Sequence, residues 1–69
     1  MAITLKAARI NKNLTRRAVK IRLKEEYNID ISVNTLANYE REGGTQPDIT
    51  TGKALAAIYG RSVDDIIFL

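Results

Sequence analysis

Eight basic side chains stand within residues 1–24, with no acidic one among them: Lys6, Arg9, Lys12, Arg16, Arg17, Lys20, Arg22 and Lys24. Residues 25–69 reverse the balance, carrying all eight acidic side chains and only Arg41, Lys53 and Arg61 as basic ones. The net charge of +3 is modest, so its distribution says more than its size. One strongly basic segment offers attraction for phosphate or for an acidic partner. The same distribution also fits a solvated helical surface that happens to be rich in Lys and Arg.

Covalent chemistry has little to work with. The chain contains no cysteine and no histidine. That removes disulfides, the usual zinc ligand sets, the commonest general base and the best side-chain nucleophile. Two pairs of adjacent carboxylates exist, Glu25-Glu26 and Asp64-Asp65. A solvated helix surface accounts for the first and helix capping for the second. No enzyme activity, metal or cofactor is expected.

These residues must be positioned by a small fold. Sixty-nine residues make one domain, residues 1–69, whose core is marginal and depends on well-capped helices or a partner chain. No apolar run approaches the roughly 18 residues of a membrane span, and MAITLKAARI is too short in apolar length for a signal peptide. The absence of cysteine fits a reducing compartment. A cytoplasmic protein without a membrane partner is expected.

Periodicity and capping predict five short helices in an all-α unit. The first runs from Thr4 or Leu5 to Asn11 or Lys12, with Thr4 as N-cap and Asn13 suited to a left-handed stop. The second opens after Thr15 and continues to about Tyr27, with Val19, Leu23 and Tyr27 on one stripe and Ile21 off it. Asn28 stops it, and residues 28–31 form the turn. The third follows Ser32, points Leu36 and Tyr39 inward, faces Asn34, Ala37, Asn38 and Arg41 outward, and ends at Gly43-Gly44. The fourth follows Asp48 and ends at Gly60, with Gly52 a weak point inside it. The fifth starts at Ser62 and takes in Val63, Ile66, Ile67, Phe68 and Leu69. No strand pattern is convincing.

Three spaced segments, LKAARINKNLT, ISVNTLANYERE and TQPDITTGKALAAIYGRSVDDII, together resemble the phage repressor and Cro-like (XRE-type) helix-turn-helix family over nearly the whole chain. The resemblance implies a compact five-helix bundle of the lambda-repressor-like DNA-binding type, with the third helix in the recognition position. It places Arg9 and Glu40 at the family's interior ion pair. Val33, Asn34 and Asn38 match its base-reading positions, where Asn can bond adenine and Val can pack on a thymine methyl. Arg16 matches a position at the start of the second helix that faces phosphate or a base. Thr35 adds a phosphate hydrogen bond, and Arg17, Lys20 and Arg41 add nonspecific attraction.

Three departures from the family pattern are visible. Leu23 and Ile31 bracket KEEYNID, seven residues where the family usually has one, which predicts a longer second helix or a protruding loop. Arg22 and Lys24 then add a backbone contact, or Glu25 and Glu26 repel the duplex. Lys20 stands where the family favours a small residue, so it must snorkel outward or the helices must cross differently. The segment GGTQ replaces the basic link that often follows the recognition helix, leaving glycine amides as phosphate donors.

The resemblance implies a small sequence-specific transcriptional regulator that binds double-stranded operator DNA. A homodimer on a palindromic site is expected, with the apolar Ile66–Leu69 end as a candidate contact. The alternative is a phage-type modulator or antirepressor that engages the helix-turn-helix domain of a partner repressor.

Overall fold

The structure is a computed structural model that describes residues 2–67, Ile67 by its backbone alone. A short strand β1, Ile3–Thr4, leads into α1, Leu5–Asn11. Helices α2, Arg16–Tyr27, α3, Val33–Glu40, and α4, Ile49–Tyr59, follow. A 3-10 turn at Val63–Asp65 then leads to strand β2, Ile66–Ile67.

Short polar side chains start every helix. Thr4, Thr15, Ser32 and Asp48 accept from the backbone N–H groups of Ala7, Ala18, Thr35 and Thr51, at 3.1, 3.0, 3.0 and 2.8 Å. Each bond satisfies a donor that the helix itself leaves unpaired. Left-handed residues close α2 and α4: Asn28 at φ 55° and Gly60 at φ 69°. Asn13 at φ 57° turns the chain between α1 and α2.

The end of α3 differs from expectation. The helix stops at Glu40, and Arg41 is already extended (φ −82°, ψ 137°). Gly43 and Gly44 lie in the following turn, where a Cβ on Gly44 would run into the Asn38 carbonyl. That close approach of backbone to backbone is why glycine stands there.

The expected fifth helix is also absent, so the described residues hold four α-helices and a 3-10 turn. Ser62 caps Asp64 at 3.3 Å, and the Asp65 N–H bonds the Ser62 carbonyl at 3.0 Å, which is a tight turn rather than the start of an α-helix. The β-branched pair Ile66-Ile67 then runs extended and pairs in parallel with β1, Ile3 opposite Ile66 and Thr4 opposite Ile67. This small sheet was not expected from the sequence. Ile66 is buried, so it serves the core. Phe68 and Leu69, the outer half of the expected dimer contact, lie outside the described residues.

These helices are too short to be stable alone and depend on a shared core. Val19 and Leu23 of α2, Leu36 of α3 and Leu55 of α4 are buried together with Leu5 and Ala8 of α1. Leu14, Ile29, Ile31 and Tyr39 are half-buried against that cluster. Helix α4 is central, with Gly52, Ala54, Leu55, Ala56, Ile58 and Tyr59 all buried. The Val19–Leu23 stripe does not extend to Tyr27, which is 40% exposed. Tyr27 lies instead along a surface groove with Ile29, Ile49 and Lys53.

The additional residues after Leu23 therefore lengthen α2 and then form a short ordered turn. Asn28 and Ile29 donate backbone N–H bonds to the Lys24 and Leu23 carbonyls, each at 3.1 Å. Lys20 does snorkel: its Nζ reaches the Ile31 carbonyl at 3.0 Å and Asp30 Oδ1 at 3.4 Å. The lengthened turn supplies the oxygens that this lysine requires.

Candidate nucleic-acid interface

Helix α3 follows α2 across the turn and buries Leu36 against it. The opposite edge of α3 is open. Asn34, Asn38 and Arg41 are exposed, and Val33 is 37% exposed rather than core. Asn34 and Asn38 are one helical turn apart and so share a face. Neither side chain has a hydrogen-bond partner among the described residues. Thr35 is half-buried, and its hydroxyl lies 2.9 Å from the Ser32 Oγ.

The far end of α3 is fixed by charge. The Glu40 side chain is only 4% exposed. Arg9 Nε donates to Glu40 Oε2 at 2.7 Å, and Arg9 Nη2 donates to Oε1 at 3.2 Å. Arg9 Nη1 donates to the Leu14 carbonyl at 2.8 Å. Arg16 Nε adds a third bond to the carboxylate, at 2.9 Å to Oε1. One buried anion thus ties α3 to α1 and to the start of α2. Such a carboxylate is tolerable only because it is paired, and removing a partner from a buried pair costs about 3–5 kcal/mol. Close by, burial and the Glu40 charge push the Tyr59 phenol well above its ordinary range, with Arg9 acting in the opposite direction.

The remaining basic side chains are largely occupied. Lys20 turns to Asp30 and Ile31. Arg22 Nε bonds Glu26 Oε2 at 2.9 Å, and that hydrogen bond raises the Arg22 pKa. Lys24 Nζ lies 3.5 Å from Asn28 Oδ1. Lys12 lies across the end of α4, where a Cβ on Gly60 would meet its Nζ. Lys6 and Arg17 are exposed without an ion pair among the described residues, as is Arg41 on α3. The basic face suggested by composition is therefore smaller in space than in sequence. Three acids from residues 25–69 engage four of these cations: Glu40 takes both Arg9 and Arg16, Asp30 takes Lys20, and Glu26 takes Arg22.

After α3, the Gly44 N–H donates to the Arg41 carbonyl at 2.9 Å and is spent within the turn. Of the glycine amides in GGTQ, only that of Gly43 is left without a backbone acceptor among the described residues. No group of three carboxylates among the described residues converges to hold a metal ion. No helix among them is long and apolar enough to cross a membrane.

The Arg16–Glu40 bond and the Lys20 contact with the turn were not expected from sequence. Lys20 carried a signal, since an unusual lysine and Asp30 in the lengthened turn form an opposite-charge pair. Arg16 carried none, because its type suits phosphate as well as carboxylate.

Four short helices with α2 and α3 as adjacent, capped partners define an all-α helix-turn-helix domain. The chain belongs to the helix-turn-helix family of XRE/Cro-like proteins, whose model matches residues 5–66. Membership implies DNA binding, typically within transcriptional regulators, and the family is usually non-catalytic. No curated protein and no solved structure matches the chain significantly.

Proposed function

We propose that this chain is a small sequence-specific transcriptional regulator that inserts α3 into the major groove of its operator. The observation that carries this reading is the open edge of α3: Asn34 and Asn38 exposed on one face, with no intramolecular hydrogen bonds among the described residues to satisfy their carboxamides. In the groove those groups bond base edges, and Val33 packs on a thymine methyl. Arg17 and Arg41 hold phosphates on either side, and Arg16 and Thr35 join them at the helix starts. The domain measures 29 Å along its longest axis. Half-sites of a palindromic operator lie about 34 Å apart, so each copy covers one half-site and the regulator acts as a homodimer.

A second reading is a module that binds a partner repressor's helix-turn-helix domain. It is favoured by one observation, the internal pairing of Arg9, Lys20 and Arg22 with Glu40, Asp30 and Glu26, beside the exposed Glu25 on lengthened α2. Binding to duplexes selected from a random pool, measured across a salt series, separates the two. A regulator gives sequence-selective binding whose logarithm falls steeply and linearly with that of salt. Absence of selective DNA binding, with a stable complex formed instead with another helix-turn-helix protein, supports the module and overturns the regulator.

A further inference from the structure

Arg9 and Arg16 meet the same carboxylate in different ways. Arg9 uses all three of its nitrogens, two on Glu40 and one on the Leu14 carbonyl, and its side chain is 12% exposed. Arg16 uses only Nε, and its side chain is 36% exposed. Its terminal nitrogens, Nη1 and Nη2, have no partner among the described residues. Four of the five N–H donors of a guanidinium belong to those two atoms.

The charges do not balance either. Arg9 alone neutralises Glu40, through two charge-assisted bonds. Arg16 brings a second cation to one anion, so the triad keeps an excess positive charge at its more exposed end. A pair needed only to hold α1 against α3 would be complete without it. We propose that Glu40 is a positioning residue for Arg16. It grips Nε so that Nη1 and Nη2 are presented, already oriented, as a bidentate clamp for one DNA phosphodiester. This rests on the DNA-binding reading above and deepens it.

The physical advantage is preorganisation. A free arginine loses rotamer freedom when it closes on a phosphate, whereas one already held by a buried, doubly bonded carboxylate has less to lose. Lysine cannot replace it, because one ammonium cannot serve the buried carboxylate with one edge and a phosphate with a planar fork. The interior ion pair is thereby linked to the DNA surface through a single side chain.

The test compares Arg16→Lys and Arg16→Ala with the unaltered chain on a duplex selected from a random pool. Each variant is first shown to be folded by circular dichroism and thermal melting. Arg16→Ala is expected to weaken binding about tenfold and to lower the salt slope by about one. Arg16→Lys is expected to keep the slope, because the charge remains, yet to lose most of the same tenfold. A neutral methylphosphonate at the clamped phosphate should remove the difference between Arg and Lys. In nitrogen-15 spectra, the Arg16 Hε should stay protected both free and bound to DNA. If both variants bind like the unaltered chain and differ only in melting temperature, Arg16 is structural and the clamp is wrong. Loss of Hε protection on binding DNA would show that Arg16 leaves Glu40, which overturns the positioning role. If the unaltered chain selects no duplex at all, the regulator reading fails first and the clamp fails with it.

Discussion

Asn34 and Asn38 occupy an exposed face of α3 and carry no charge, which separates their contribution from that of the arginines around them. A carboxamide gains affinity only where a base edge matches its donor and acceptor, whereas Arg17 and Arg41 gain it from any phosphate. Replacing Asn34 or Asn38 with Ala should therefore relax preference at one base position, by about 1–3 kcal/mol of discrimination. Replacing Arg17 or Arg41 with Ala should weaken all duplexes alike and reduce the salt slope. Competition binding against single-base operator variants checks both. Unchanged base preference in both Asn variants would move the reading face elsewhere. At this scale the sequence is informative about types and poor about partners. Val33 could be placed as core or surface, and exposure on the finished helix decides it. Arg16 suited phosphate by its place at the start of the second helix and by its type, and its bond to Glu40 arises only when α2 and α3 pack.

Lengthened α2 and its turn depend on Lys20. A small residue there, as the family favours, would leave the Ile31 carbonyl and Asp30 without their shared cation. The contact spans from the middle of α2 to the residue before the α3 cap, so it holds the approach to α3. Lys20→Ala should thus destabilise the domain, although it restores the commoner residue type. The pair is exposed enough for water and salt to screen it, so the loss is about 0.5–1 kcal/mol. Urea denaturation measures that loss, and amide exchange at Thr35 and Leu36, whose N–H groups bond Ser32, should rise more than exchange in α4. A stability gain from Lys20→Ala would show that the lysine is merely tolerated. Element starts were legible because capping is local: Thr4, Thr15, Ser32 and Asp48 each lie within three residues of the N–H they satisfy. The end of the chain was not legible for the opposite reason. Val63, Ile66 and Ile67 suit a helix by hydrophobicity, and only pairing with Ile3–Thr4 from the other end of the chain selects the extended form.

For the molecule as a whole, charge that is segregated along the sequence is folded back on itself in space. Residues 1–24 hold no acid, yet Glu26, Asp30 and Glu40 come to lie against their arginines and lysines. Composition alone cannot show this, because it depends on which helices pack. The same packing sets the dependence of stability on pH. At the acid end, hydrogen bonds from Thr51 hold the Asp48 cap below the ordinary carboxylate range. Its contribution is present above that range and is lost as pH falls through the depressed value. At the alkaline end, Tyr59 is decisive. Burial, then the Glu40 charge, raise its pKa, so the folded state holds the phenol proton more tightly than the unfolded chain does. Its contribution is complete below the ordinary tyrosine pKa of about 10 and is lost as pH rises beyond it toward the folded value. Tyr39 shifts in the same direction, through desolvation and then Asp48, and adds to that limb. Urea midpoints measured from neutral pH to about 11 should therefore fall along an alkaline limb that begins near the ordinary tyrosine value. Tyr59→Phe removes the ionisable group but keeps the ring, so it should flatten that limb whatever it does to stability at neutral pH. An equally steep limb in Tyr59→Phe would assign the alkaline sensitivity to Tyr39 instead.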